Sequence, residues 1–150
     1  LAVETVTDAI PGYSFELGKG VTLRDGSDVT IAATGLTVQM ALAAAEQLAG
    51  EGISARVLDI HTIKPLDKAL ILKAAMETGC IVTSEEHNIY NGLGSAVASY
   101  LSEAYPTPVV RHGVEDVFGR SGKAAAVLEA YGISPAGIIE KVKKALSLKK

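Results

Sequence analysis

One cysteine, Cys80, stands in a chain of 150 residues, so no internal disulfide can form and a reducing, cytoplasmic setting is expected. Basic residues are not in excess: 14 Lys and Arg against 17 Asp and Glu leave a net charge of −3. They form no stripe either, so nucleic acid is not expected as a partner. No uninterrupted apolar run approaches the roughly 18 residues of a membrane helix, and no membrane partner is expected. The opening residues, 1–7, carry Glu4 and lack a basic head, unlike a secretory signal. No methionine begins the chain, which suggests a start partway through a longer polypeptide. The Gly-x-Gly-x-x-Gly dinucleotide fingerprint, the P-loop and the Gly-x-Ser-x-Gly nucleophile elbow are all missing. His61, His87 and His112 lie far apart, so no zinc spacing is written and no metal site is expected.

What is present is apolar. Hydrophobic residues make up 48% of the chain and mean hydropathy is +0.27. A domain of this length buries roughly 70% of the surface its unfolded chain exposes, enough for a core without staples. Residues 1–18, with the turn signal Pro11-Gly12, read as a linker from an upstream domain, and 19–150 as the domain itself. Short apolar runs then alternate with helical patterns. Strands are expected at 20–24, 29–33, 55–60, 80–84 and 109–111, with Cys80 packing in the core. Helices are expected at 37–51, from about 65 to 78, after Gly94 as far as Pro106, at 123–131 and at 135–146. In 37–51, Val38, Ala41, Leu42, Ala45, Leu48 and Ala49 make one apolar stripe, with Gly50 and Gly52 as possible stops. Ser134-Pro135 is a cap residue followed by proline at the first helical position. The first two strands, separated only by the tight-turn signal Asp25-Gly26, cannot be parallel neighbours joined by a helix. The first strand should therefore run against the others. Continuous apolar strands between amphipathic helices predict a three-layer α/β/α sandwich on a five-stranded, mostly parallel sheet.

Ligands of such sheets sit beyond the carboxyl ends of the strands, and three segments qualify there. Thr34-Gly35-Leu36-Thr37 opens a helix, where Thr37 is also an ordinary cap. The segment from Asp59 through His61 and Lys64-Pro65 to Asp67 clusters charge at a strand end, although Asp67 is equally placed to cap the next helix. Residues 84–95 read as a loop in which Glu85 and Glu86 beside His87 could hold and move a proton, and Gly92 and Gly94 would admit a close partner. The alternative is that these glutamates bind loop N–H groups and the glycines shape the turn. Residues alone stop at an α/β domain with a candidate site in this loop.

Asp28-Val29-Thr30-Ile31-Ala32-Ala33-Thr34-Gly35, then Lys64-Pro65-Leu66-Asp67, then Glu85-Glu86-His87 with Gly92-Leu93-Gly94 resemble, in order and spacing, the transketolase C-terminal domain. That domain is shared by transketolases, deoxyxylulose-phosphate synthases and the β subunits of 2-oxoacid dehydrogenase E1 components. The resemblance runs from about Phe15 to the end and implies a sheet with an antiparallel first strand and strands 29–33 and 80–84 side by side. Ser121-Gly122-Lys123 with Tyr131-Gly132-Ile133 favours transketolase, while Asp116-Val117-Phe118 is also similar to the synthase. Asn91-Gly92 replaces the Gly-Gly of many relatives, and Ala124 and Ala126 replace a Pro and a Glu.

The resemblance implies a transferase that moves a two-carbon ketol unit between sugar phosphates with thiamine diphosphate and Mg²⁺, in the setting of the pentose phosphate pathway. The family's Gly-Asp-Gly cofactor motif is absent here, so this part alone implies no cofactor and no turnover. Its implied partners are the N-terminal transketolase domains or a separate N-terminal subunit, and a second copy in a homodimer. Gly35, Asp59, His61, Glu85, Glu86, His87, Gly92 and Gly94 then become candidates for a substrate funnel or interface, with none expected to be catalytic. A regulatory or purely structural domain is the rival reading, and a free-standing nucleotide-binding module a weaker one.

Overall fold

The computed structural model describes residues 5–149. The five residues of β2, Val29–Ala33, are buried on both faces because helices cover the sheet above and below. Beside it run β3 (Ala55–Asp59) on one side and β4 (Ile81–Asn88) on the other, both parallel to β2. β5 (Val109–Val114) extends the parallel set past β4, and β1 (Val21–Arg24) lies antiparallel on β3. The sheet order is β1-β3-β2-β4-β5. The reversed first strand and the adjacency of β2 and β4 agree with the expectation from sequence. Asp25-Gly26 does not make a hairpin, however, since β3 separates β1 from β2. Gly26 lets the chain cross the start of β3, where a Cβ would come within 2.4 Å of the Ala55 carbonyl carbon.

Side-chain alternation along β2 feeds two cores. Val29, Ile31 and Ala33 pack under α1 (Thr37–Gly50) and α5 (Pro135–Leu148), against Ala41, Leu48, Ile138 and Val142. Ala32 faces the opposite layer with Leu58, Ile71, Leu93, Val97 and Leu101, covered by α2 (Lys68–Thr78) and α3 (Leu93–Ala104). A shorter helix, α4 (Ala124–Ala130), buries none of its residues. No helix among the described residues is long and apolar enough to cross a membrane.

The helix ends mostly follow their signals. Asp67 accepts from Leu70 N–H at 3.1 Å and opens α2, Gly79 closes it in the left-handed conformation, and Ser134 caps α5. Gly52, not Gly50, takes the left-handed φ after α1. Thr37 does not cap α1: its hydroxyl donates to Thr34 O at 2.9 Å and Ser84 O at 2.8 Å, tying the turn to β4. Within the expected linker, Thr7–Ala9 forms a single 3-10 turn. The largest departures are at the strand ends. β4 runs on to Asn88 and β5 to Val114, so Glu85, Glu86 and His87 belong to a strand and not to the expected loop. Polar residues extend these strands because pairing there is fixed by the backbone and by neighbours distant in sequence.

Candidate functional site

Strand order reverses direction across β2, and the crevice that this creates lies between the carboxyl ends of β2 and β4. A cavity of about 260 Å³ occupies it, lined by Gly35 and Leu36 from one side and Glu85, Glu86, His87 and Gly92 from the other. Gly35 and Glu86 therefore share one rim. Gly35 itself has φ +59°, the left-handed value that turns the chain from β2 into α1.

The wall around Glu85 is built by a bulge. Ser84 pairs with His112 and Asn88 with Val114, so Glu85, Glu86 and His87 stand against Gly113 alone. A Cβ on Gly113 would lie 2.7 Å from His87 O, so only glycine fits opposite the bulge. The bulge points Glu85 inward, where it is 1% exposed. Its carboxylate accepts Leu93 N–H and Gly94 N–H at 2.8 Å each, placing a negative charge on the amino end of α3. A Cβ on Gly92 would fall 1.9 Å from Glu85 Oε2, and one on Gly94 would meet Arg111 Cγ and Thr83 Oγ1 at 2.7 Å. The two glycines do admit a close approach, but the approaching groups are Glu85, Thr83 and Arg111 of the same chain.

His87 is 60% exposed and turns its Nδ1 to Asn88 O at 2.7 Å, leaving Glu85 Oε2 4.0 Å away, beyond hydrogen-bond range. Glu86 is exposed on the same rim. Asp59 and His61 stand apart from this group, in a second cavity of about 320 Å³ that shares only the Gly35-Leu36 turn with the first. Burial raises the Asp59 carboxyl above its ordinary range, a shift that nearby His61 opposes.

One buried polar chain escaped the reading from sequence. The Ser84 hydroxyl donates to His112 Nδ1 at 2.9 Å, and His112 Nε2–H donates to Gly132 O at 2.9 Å. Both nitrogens are thus satisfied with the imidazole neutral, and burial pushes His112 below the usual histidine range. The available signal was alternation: Val110 and His112 share one face of β5, which makes a buried histidine. Arg111 turns the other way, donates to Ile89 O at 3.0 Å and lies 5.2 Å from the Tyr90 ring.

A reversed first strand and a crevice between β2 and β4 make this an α/β domain with its candidate site on the carboxyl rim of the sheet. The family model for the transketolase C-terminal domain matches residues 18–138, and the chain belongs to that family. It is 49% identical over 125 residues to the 6-deoxy-6-sulfo-D-fructose transketolase subunit SqwH of Clostridium sp. (strain MSTE9), covering 83% of this chain and 39% of that protein. It is 46% identical over 136 residues to one subunit of the apulose-4-phosphate transketolase of Phocaeicola vulgatus, covering 88% and 43%. A solved split gene transketolase, an inactive beta4 tetramer, superposes with a TM-score of 0.93 at 49% identity, over 99% of this chain and 48% of that one. The chain thus spans less than half the length of these relatives.

Proposed function

We propose that the chain is the C-terminal part of a transketolase-type transferase and that its own work is to dock the catalytic domains. The supporting observation is the chemistry of the carboxyl rim. Ile63, Tyr90, Val117 and Phe118 follow β3, β4 and β5 there and are exposed, Phe118 to 98%. Large apolar side chains left exposed on the segments that leave three strand ends fit a surface that another domain covers. The partner that fits is the N-terminal part carrying the pyrimidine-binding domain, in one polypeptide or as a separate subunit, with a homodimer as the assembled form. The Glu86–His87 edge then lies at that interface or beside the substrate funnel. The transfer itself, a two-carbon ketol unit between sugar phosphates in the cytoplasm, belongs to the whole assembly. The relatives named above act on a sulfosugar and on apulose 4-phosphate, so the sugar need not be one of the pentose phosphate pathway.

Thiamine diphosphate with Mg²⁺ supplies carbanion chemistry in such enzymes. The described residues of this chain do not fit it. No three His, Cys, Asp or Glu side chains gather to hold an ion, and Glu85 is committed to two amides of α3. We assign the cofactor to the other part of the enzyme. The test is reconstitution. Ketol transfer should be absent with this chain alone and appear on mixing with the N-terminal part, and turnover by the chain alone would sink the reading.

A further inference from the structure

Asn88 and Asn91 are the two asparagines of the chain, and both stand at the carboxyl rim where β4 ends. Their settings differ. Asn88 is held at both ends of its amide: Nδ2 donates to Asp116 Oδ1 at 3.1 Å, and Oδ1 accepts Tyr90 N–H at 2.9 Å. The amide that follows it, Ile89 N–H, donates to Val114 O at 2.9 Å and is crowded by a branched side chain. Asn91 is exposed, and its bond from backbone N–H to Ser95 Oγ at 2.9 Å leaves its side chain unheld among the described residues. The amide that follows it belongs to Gly92, which has no side chain to crowd it and no acceptor among the described residues. Packing forbids any other residue there, because a Cβ on Gly92 would collide with Glu85 Oε2. The carboxylate that clamps α3 thus forces glycine to follow this asparagine.

We propose that Asn91–Gly92 is a site of spontaneous covalent modification, at which the free chain ages from asparagine to aspartate and isoaspartate. Asparagine is among the chemically labile residues, and water is the co-reactant. Both residues line open cavities on the rim, through which water reaches them. The Gly92 nitrogen gives its proton to solvent base and attacks Asn91 Cγ. The N–Cγ bond forms, the Cγ–Nδ2 bond breaks, and ammonia leaves with a proton returned by solvent. Water then opens the cyclic imide, and nothing is oxidised or reduced. Cleavage of the new N–Cγ bond gives aspartate. Cleavage between the same nitrogen and the backbone carbonyl carbon of residue 91 gives isoaspartate, with the main chain now running through Cγ. Aspartate adds a carboxylate to a cavity already lined by Glu85 and Glu86. Isoaspartate lengthens the chain just before Gly92 and moves it off the carboxylate that holds Leu93 and Gly94. The chain's other pair of this kind, Asp25–Gly26, is protected. Arg56 lies 2.9 Å from Asp25 Oδ1 and keeps it a carboxylate, a poor target for attack.

The test is peptide mapping by mass spectrometry of the whole 150-residue chain, held in mildly alkaline buffer at physiological temperature beside a synthetic peptide of residues 88–95. The segment with Asn91 should gain about 1 Da and split into two products of different retention, at a rate within about tenfold of the free peptide, because nothing holds the side chain from the amide. Asn88 should stay unconverted in the folded chain. Conversion should quicken as pH rises, since the attacking nitrogen must first lose its proton. Asn91→Gly, which suits the φ of +63° at that position, should abolish the mass gain and leave folding intact. Asn91→Asp should melt with the parent, while the isoaspartate fraction of the aged chain melts lower. Conversion at Asn88 as fast as at Asn91, a folded chain still intact when the peptide has converted, or a mass gain that survives Asn91→Gly would overturn the proposal. Every reading is made on this chain alone, so the outcome is independent of what docks at the rim.

Discussion

Glu85 and Asp59 are both buried carboxylates at the carboxyl edge of one sheet, at the ends of strands separated only by β2. Their surroundings are opposite. Glu85 receives two amide hydrogens from the amino end of α3 and holds that helix against the bulge in β4. Among the described residues Asp59 receives none, and its neighbour His61 has a buried nitrogen without a partner there. Of two acids that a motif reading treats alike, one completes the fold, and the other is a cost the fold carries.

The largest test of that contrast is at Glu85. Glu85→Gln replaces one acceptor oxygen with a donor facing an amide hydrogen, and should lower unfolding free energy by about 2–4 kcal/mol. Gly92→Ala, which drives a methyl group into the same carboxylate, should cost roughly 2–3 kcal/mol. Urea denaturation measures both, and a loss under about 0.5 kcal/mol for either would erase the distinction. Asp59→Asn should move the other way, gaining about 1 kcal/mol near neutral pH. The sign follows from linkage: a carboxyl whose folded pKa is raised holds its proton longer in the folded chain, so stability falls as pH rises above about 4. The variant should flatten that slope.

His112 sharpens the picture at the opposite sign of pH. Its imidazole is held neutral, so as pH drops below about 6.5 the unfolded chain takes up the proton first and stability declines, by at most about 1.4 kcal/mol per unit. Denaturation midpoints between about pH 8 and 5.5 should bend downward in the parent chain and stay level in His112→Asn; parallel curves would mean that another group governs the acid limb. The smallest change in stability is expected at Phe118. Phe118→Ser should alter the melting temperature of the isolated chain by less than the scatter of ordinary surface substitutions. It should nonetheless weaken association with the N-terminal part, as measured by sedimentation of the mixture.

Much of this layout is legible in the sequence because it rests on local signals. Val29, Ile31 and Ala33 alternate with Thr30 and Ala32 in a run that only a doubly covered strand accommodates. The few residues around Asp25-Gly26 can pass the start of β3 but cannot return the chain to the far edge of the sheet, so β1 had to run backward. The rim is less readable. Glu85, Glu86 and His87 look like loop residues until β5 is placed beside them, for the pairing of Asn88 with Val114 joins segments far apart in the chain. Alternation along β5 marks His112 as buried, but its partners Ser84 and Gly132 are hidden for the same reason, since they come from two other segments. Gly92 and Gly94 stand out in the sequence, but nothing local shows that the space they leave is filled by Glu85, Thr83 and Arg111.

The bulge opposite Gly113 has a consequence for how such a module can vary over time. Between Ser84 and Asn88 the ladder breaks phase, so the in-or-out alternation of everything beyond it is set afresh and not inherited from the interior. A residue gained or lost past that break would rearrange the outer edge while leaving Ile81, Val82 and Val110 where they are. The interior can stay constant while the contact face is rewritten, which is what a domain shared among enzymes of differing composition requires.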